Sequence, residues 1–260
     1  GGEWKSVDWK TALEYVAHGL QSVITEHGAS SIGALVSPHS TLEEVFLAGT
    51  FVSGLGSENI DYRMRNAEFE IGLPGARYLG MQIAELSTLQ SILVIGSNLR
   101  KDHPLFAQRI RQAIRSGCLL SRLTDQDSDW AMPVHSTHLA APTDWVQGLA
   151  EIAAAVAELQ GVSAPHPATA TPAAMVTAKG LLRGERKAVL LGNAAAHHSQ
   201  ASKLLELANW IAQQTAAKVG YLTEAANTVG AQLVNAVPSN NGLNAHQMLS
   251  GGLKAAILLN

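Results

Sequence analysis

Five short apolar runs constrain this chain more than any other feature. They are Ile32-Gly33-Ala34-Leu35-Val36, Ser91-Ile92-Leu93-Val94-Ile95, residues 118–123, Ala188-Val189-Leu190-Leu191 and residues 254–259. Runs this short and this apolar read as strands buried on both faces. Between them lie segments of helical period. After Asp8, a plausible N-cap, Trp9, Leu13, Val16, Leu20 and Ile24 recur every three or four residues, and Gly28 follows the last turn. Thr41 with Glu44 makes a capping-box signal for a helix to about Gly54. A third helix opens near Pro104 and runs through Phe106, Ile110 and Ile114 to Gly117. A fourth is capped by Thr143 or Asp144, runs through Leu149, Ile152, Val156 and Leu159, and ends at Gly161. Strands alternating with helices through short loops imply βαβ units, hence an α/β protein with mainly parallel sheets.

The pattern is interrupted at residues 163–172, a Pro/Ala/Thr/His stretch without periodicity that reads as an extended linker. Beyond it come a helix over 173–182, the strand at Ala188–Leu191, a helix through Leu204, Leu207 and Ile211, and a short strand near 219–222. The expected organisation is a first α/β lobe at 1–162, the linker, and a second lobe at 173–260. A short strand is expected at 59–61, and Gly72, Pro74, Gly75 and Gly80 mark loops. The chain has no initiator Met and stops inside a strand-like pattern, so the expectation is a piece of a longer protein.

Composition excludes several functions. A formal net charge of −3 with mixed signs gives no basic field for nucleic acid. Cys118 is the sole cysteine, so the chain can hold neither an internal disulfide nor an iron–sulfur cluster. The start lacks the basic-then-apolar pattern of a signal peptide, and no stretch of about 18 uncharged apolar residues predicts membrane insertion.

The chemical signals are sparse. The two strongest strands run into Gly96-Ser97-Asn98 and Gly192-Asn193. Such loops either simply turn the chain or cradle a dinucleotide-like ligand, since Gly admits a phosphate to the backbone and Ser or Asn adds hydrogen bonds. Neither matches G-x-G-x-x-G or the P-loop. Asp125, Asp127 and Asp129 alternate as in a calcium loop, but Trp130 replaces the sharp-turn Gly and Ser136 the bidentate Glu. His135 and His138, beside Pro133 and Pro142, read as loop residues. His197 and His198 read as residues near a helix start, where neutral imidazoles can accept backbone hydrogen bonds. No H-E-x-x-H is present, Cys118 reads as a buried small side chain, and no G-x-S-x-G elbow supplies a nucleophile. No catalytic or metal-binding residue is therefore assigned.

Three segments together carry a family resemblance: residues 7–13, residues 58–65 (Glu58-Asn59-Ile60-Asp61-Tyr62-Arg63-Met64-Arg65) and residues 94–105, with the tail segments 224–231 and 241–249 in agreement. The chain resembles the molybdopterin oxidoreductase family. More closely, it is similar to the molybdopterin-oxidoreductase-like region of the large iron–sulfur subunits of bacterial NADH:quinone oxidoreductase, respiratory complex I. The resemblance implies two Rossmann-like lobes, as in domains 2–3 of the formate dehydrogenase/DMSO reductase-like fold. In cofactor-bearing relatives such loops hold pyranopterin guanine dinucleotides around molybdenum or tungsten. Gly96, Ser97 and Asn98 match one loop, and Gly192 and Asn193 its counterpart. Relatives place a metal-binding Cys or selenocysteine shortly after the segment matching 59–65. Here Asn66-Ala67-Glu68-Phe69 follows, which argues against molybdopterin chemistry and for vestigial loops. The resemblance further implies iron–sulfur clusters elsewhere in the parent protein. It implies contacts with other subunits of the complex I hydrophilic arm, at the cytoplasmic face of a bacterial inner membrane. The competing readings are a true molybdenum or tungsten bis-pterin oxidoreductase fragment and a small-molecule or nucleotide-binding module reusing the loops.

Overall fold

The computed structural model describes residues 2–69 and 77–260. In chain order its elements are α1 (Trp9–His27), β1 (Ile32–Val36), α2 (Leu42–Gly54), β2 (Ile60–Asp61), β3 (Ser91–Ile95), α3 (Leu99–Asp102), α4 (Pro104–Arg115), β4 (Leu119–Thr124), β5 (Ser136–Leu139), α5 (Trp145–Gln160), α6 (Pro172–Leu181), β6 (Lys187–Leu191), α7 (Asn193–Ala196), α8 (Ala201–Thr215), β7 (Lys218–Tyr221), α9 (Thr228–Leu233), α10 (Ala245–Leu249) and β8 (Ala255–Leu259). The expected loop residues Gly72, Pro74 and Gly75 lie outside the described residues, whereas Gly80 takes φ +74°. Among the described residues no helix is long and apolar enough to cross a membrane.

The chain forms two compact units: residues up to Met64 together with Ala225–Asn260, and Arg65–Glu224. The expected division at 163–172 is therefore corrected. β6 lies beyond that stretch and β3 before it, yet the two pair in parallel from Ser91↔Lys187 to Ile95↔Leu191. The Pro/Ala-rich segment is a connection within one unit, because α6 follows it at once and packs against α5.

The second unit holds a five-stranded parallel sheet in the order β5-β4-β3-β6-β7. Period-two alternation sorts its side chains. Leu93 and Ile95 of β3, with Val189 and Leu191 of β6, enter a core completed by α5, α6 and α8. Ile92 and Val94, with Ala188 and Leu190, enter the opposite core with Leu99 and with Ala107, Ile110 and Ala113 of α4. Both faces are covered, which is why these strands read as unbroken apolar runs. α5 carries Ala150, Ala153, Ala154, Ala155 and Ala157 buried between its neighbours, and Gly161 ends it in the left-handed conformation. β5 has no strand signal of its own. Ser136-Thr137-His138-Leu139 carries a single strong apolar residue and becomes a strand only by pairing with β4. His138 thus lies on a strand and not in a loop.

The first unit centres on β1, flanked in parallel by β2 and β8. Its core joins Ala34 and Val36 to Val45 and Val52 of α2 and to Ala231 and Ala236. Asp8 caps α1 and Thr41 with Glu44 forms the capping box, as expected. Residues 59–61 serve as a polar staple. Asn59 Nδ2 donates to the carbonyls of Ser30 (2.7 Å) and Ile32 (2.9 Å), while its Oδ1 accepts from Leu243 N–H (2.7 Å). Fully buried Asp61 accepts from Ala245 N–H (3.0 Å) and pairs with Arg63 (2.9 Å). The segments singled out at 58–65 and 241–249 are thus joined by buried hydrogen bonds.

Ile95, fully buried at the centre of the larger sheet, sets the scale of its stability. Ile95→Ala is expected to cost about 2–5 kcal/mol and Ile95→Val about 0.5–1.5 kcal/mol, measured by urea unfolding.

Candidate functional site

Strand order in the five-stranded sheet reverses between β3 and β6. From β3 the chain builds outward through β4 to β5; from β6 it builds the other way to β7. Ligands of open α/β sheets bind at such a switch point, beyond the strand C-termini. The Gly96-Ser97-Asn98 and Gly192-Asn193 loops follow these two strands, and the structure brings them together.

What they meet is each other. Gly192 N–H donates to Ile95 O (2.8 Å), Ala194 N–H to Gly96 O (3.0 Å), and Gly96 N–H to Leu123 O (3.0 Å). A Cβ on Gly192 would lie 2.2 Å from Ser97 Cβ and 2.6 Å from Gly96 O. Gly96 takes φ +62°, and a Cβ there would lie 2.7 Å from both Ala195 N and the Trp145 ring. The glycines therefore admit the opposite loop and an indole to the backbone. Trp145 is 1% exposed, donates its indole N–H to Ala140 O (3.1 Å) and stacks on His198 at 5.9 Å.

A cavity of about 160 Å³ remains, lined by Gly96, Ser97, Asn98, Asp102, Thr124, Asp125, Gln126, Ser128, Trp145 and Ala194. Its polar groups are largely engaged. Asp102 Oδ2 accepts from Asn98 N–H (2.8 Å) and Ser97 Oγ–H (3.4 Å). Asn98 caps α3, accepting from Lys101 N–H (3.3 Å), and donates through Nδ2 to Ser128 Oγ (3.2 Å). Among the described residues the lining holds two carboxylates, Asp102 and Asp125, and no Lys or Arg. Nearby Arg122 is buried and fully engaged: it donates to Thr137 Oγ1 (3.0 Å) and Ser128 O (2.7 Å), pairs with Asp127, and lies over the Trp130 ring at 4.9 Å.

The residues present do not fit a pyranopterin dinucleotide. Small-molecule pockets run to roughly 300–1,000 Å³, and this lining offers a diphosphate no cation and sets two carboxylates among its hydroxyl and amide groups. In the stretch where the resemblance places a metal-binding thiolate, Ala67 N–H donates to His197 O (3.2 Å). Glu68 there accepts from Ser202 N–H (2.8 Å) in the first turn of α8.

Among the described residues the remaining candidates form no metal-holding group. Asp127 and Asp129 pair with Arg122 and Arg100. Burial pushes the Cys118 thiol up to about 12, far from thiolate reactivity. His138 meets Thr177 Oγ1 at 2.9 Å, while His135 is exposed. His198 accepts from Gln200 N–H (3.0 Å) at Nδ1, as expected near a helix start; its Nε2 lies 2.9 Å from Pro142 O, which fixes that nitrogen as the donor. His197 pairs with Glu224 at 2.9 Å. Sequence reasoning gives no role to Asp102 or Trp145. Asp102 has a readable signal, a carboxylate four residues beyond an Asn N-cap; Trp145 has none, since only packing brings it to Gly96.

A doubly wound parallel sheet with glycine loops at its switch point has the frame of a dinucleotide-cofactor protein. The chain belongs to the molybdopterin oxidoreductase family, whose model, described as Molybdopterin oxidoreductase, matches residues 1–260. It is similar to the G subunit of the NADH-quinone oxidoreductase of Rickettsia felis, 31% identical over 118 residues, covering 45% of this chain and 17% of that protein. It is also similar to a nitrate reductase of Shewanella frigidimarina, 27% identical over 116 residues, covering 42% of this chain and 12% of that protein. The matched part thus spans less than a fifth of either relative. Among solved structures, the formyltransferase/hydrolase complex of Methylorubrum extorquens with methylofuran shares the fold. The TM-score is 0.68 at 17% identity, over 98% of this chain and 74% of that one.

Gly192→Ala is expected to destabilise by roughly 1–3 kcal/mol, since the methyl must displace the opposite loop; thermal or urea unfolding reads it. A second expectation concerns pH. Burial lowers the pKa of both His103 and His138 from the ordinary 6.5. Between 6.5 and the lowered values the unfolded chain binds protons the folded chain does not. Stability is therefore fully present above pH 6.5 and falls as pH drops through that window. His103→Gln should make the slope of unfolding free energy against pH shallower there.

Proposed function

We propose that this chain is a structural, subunit-contacting body of the large iron–sulfur subunit of a bacterial NADH:quinone oxidoreductase, holding no cofactor of its own. The single observation that carries the reading is the closed crevice. Its glycines seat another loop and an indole, its Asn98 N–H is taken by Asp102, and its described lining residues carry two carboxylates and no cation. The likeness to the Rickettsia felis protein supports that choice of parent complex. Its clusters reside in other parts of the parent protein, its partners are other subunits of the hydrophilic arm, and it works at the cytoplasmic face of the inner membrane without entering the bilayer.

The surface supports the same reading. α1 buries none of its residues, yet Trp9 is 83%, Leu13 62% and Val16 52% exposed along one face. A contiguous apolar face of this kind marks an interaction surface, and large aromatic anchors suit the core of an interface.

One observation favours the alternative, an oxidoreductase binding a molybdenum or tungsten bis-pterin guanine dinucleotide. Asn193 Oδ1, beside Gly192, and His103 Nε2 are buried and interact with each other, short of a hydrogen bond of normal geometry. Metal and pterin analysis of the complete parent protein, purified from its own membranes in a preparation that oxidises NADH, separates the two. The scaffold reading expects neither molybdenum, tungsten nor pterin. About one metal per polypeptide with a fluorescent oxidised pterin would overturn it.

A further inference from the structure

We infer that Asp102 is a built-in anion that keeps the crevice of the five-stranded sheet closed to phosphate-bearing ligands. The inference rests on the cofactor-free reading above and names the residue that enforces it. Main-chain N–H groups in the loop after a switch-point strand are the natural donors to a ligand phosphate. In this loop the Asn98 N–H points to Asp102 Oδ2 at 2.8 Å, and the Ser97 hydroxyl reaches the same oxygen at 3.4 Å. A phosphate oxygen would need those donors. The carboxylate already holds them, four and five residues along the same chain, so a free ligand must compete with an intramolecular contact.

Two features separate this role from general acidity or loop shape. Asp125 lines the same cavity but is exposed. It adds charge, while the two donors belong to Asp102. Asn98, in turn, is anchored independently of Asp102, through Lys101 N–H and Ser128 Oγ. Removing the Asp102 carboxylate therefore frees two donors and leaves the loop tethered.

The test is calorimetric titration of the full chain with inorganic pyrophosphate, with the thermal melt of each variant as a check on folding. The unmutated chain and Asp125→Asn are expected to show no saturable binding. Asp102→Ala is expected to bind at least about ten-fold more strongly than the unmutated chain, the gain of one charge-assisted hydrogen bond. Asp102→Asn, close to isosteric, keeps an oxygen for Asn98 N–H but loses the charge; it is expected to fall between the two and serves as the readout if Asp102→Ala unfolds. Saturable binding by the unmutated chain, equal gain from Asp125→Asn, or no gain in a folded Asp102 variant would each overturn the inference. These outcomes are separate from the scaffold reading, which stands or falls on metal and pterin in the complete parent protein.

Discussion

The pairing of β3 with β6 is the interaction on which the larger unit depends. β3 is hydrogen-bonded on both edges, to β4 and to β6, in register along its whole length. It sends Leu93 and Ile95 into one core and Ile92 and Val94 into the other. The same pairing lays the two glycine loops edge to edge. Once Ile95 is fixed opposite Leu191, Gly192 N–H lies within reach of Ile95 O, and the switch point closes by the continuation of a parallel ladder. The closed crevice is thus a consequence of strand register, completed by one indole and one carboxylate.

Carboxylates recur in this chain as partners of main-chain N–H groups. Asp102 accepts from Asn98, Glu68 from Ser202, and Asp61 from Ala245. Each satisfies a donor that would otherwise call for water or a ligand. Asn59 does the same with carbonyls and an amide in the first unit. The polar residues that give the chain its family likeness at 58–65 and 241–249 hold two distant stretches of sequence together.

Much of this is legible in the sequence because its causes are local. The strands at 32–36 and 91–95, the Asp8 cap, the Thr41–Glu44 box and the Gly161 terminus follow from propensity, capping and periodicity. β5 is not legible, since Ser136–Leu139 is made a strand by the edge of β4. Nor is the division of the chain: the stretch at 163–172 has linker composition, but the sheet contacts that override it lie many residues away. The candidate site divides the same way. Gly96, Ser97, Asn98, Gly192 and Asn193 are visible as residues after strands. That the two glycines seat each other's loops, that Trp145 seals Gly96, and that Asp102 takes the Asn98 N–H all depend on strand order, which a single sequence does not display.

The interrupted first unit has a consequence for how the chain comes into being. Its central strand, β1, is synthesised before the second unit, but one neighbour, β8, only after it, with Ile32 pairing to Ala255. The second unit is contiguous and can close its own sheet while the ribosome is still adding residues 225–260. Until β8 arrives, β1 carries an unsatisfied apolar edge of the kind that recruits foreign strands. The translation interval between Val36 and Ala255 is therefore a window in which that edge of β1 stands open.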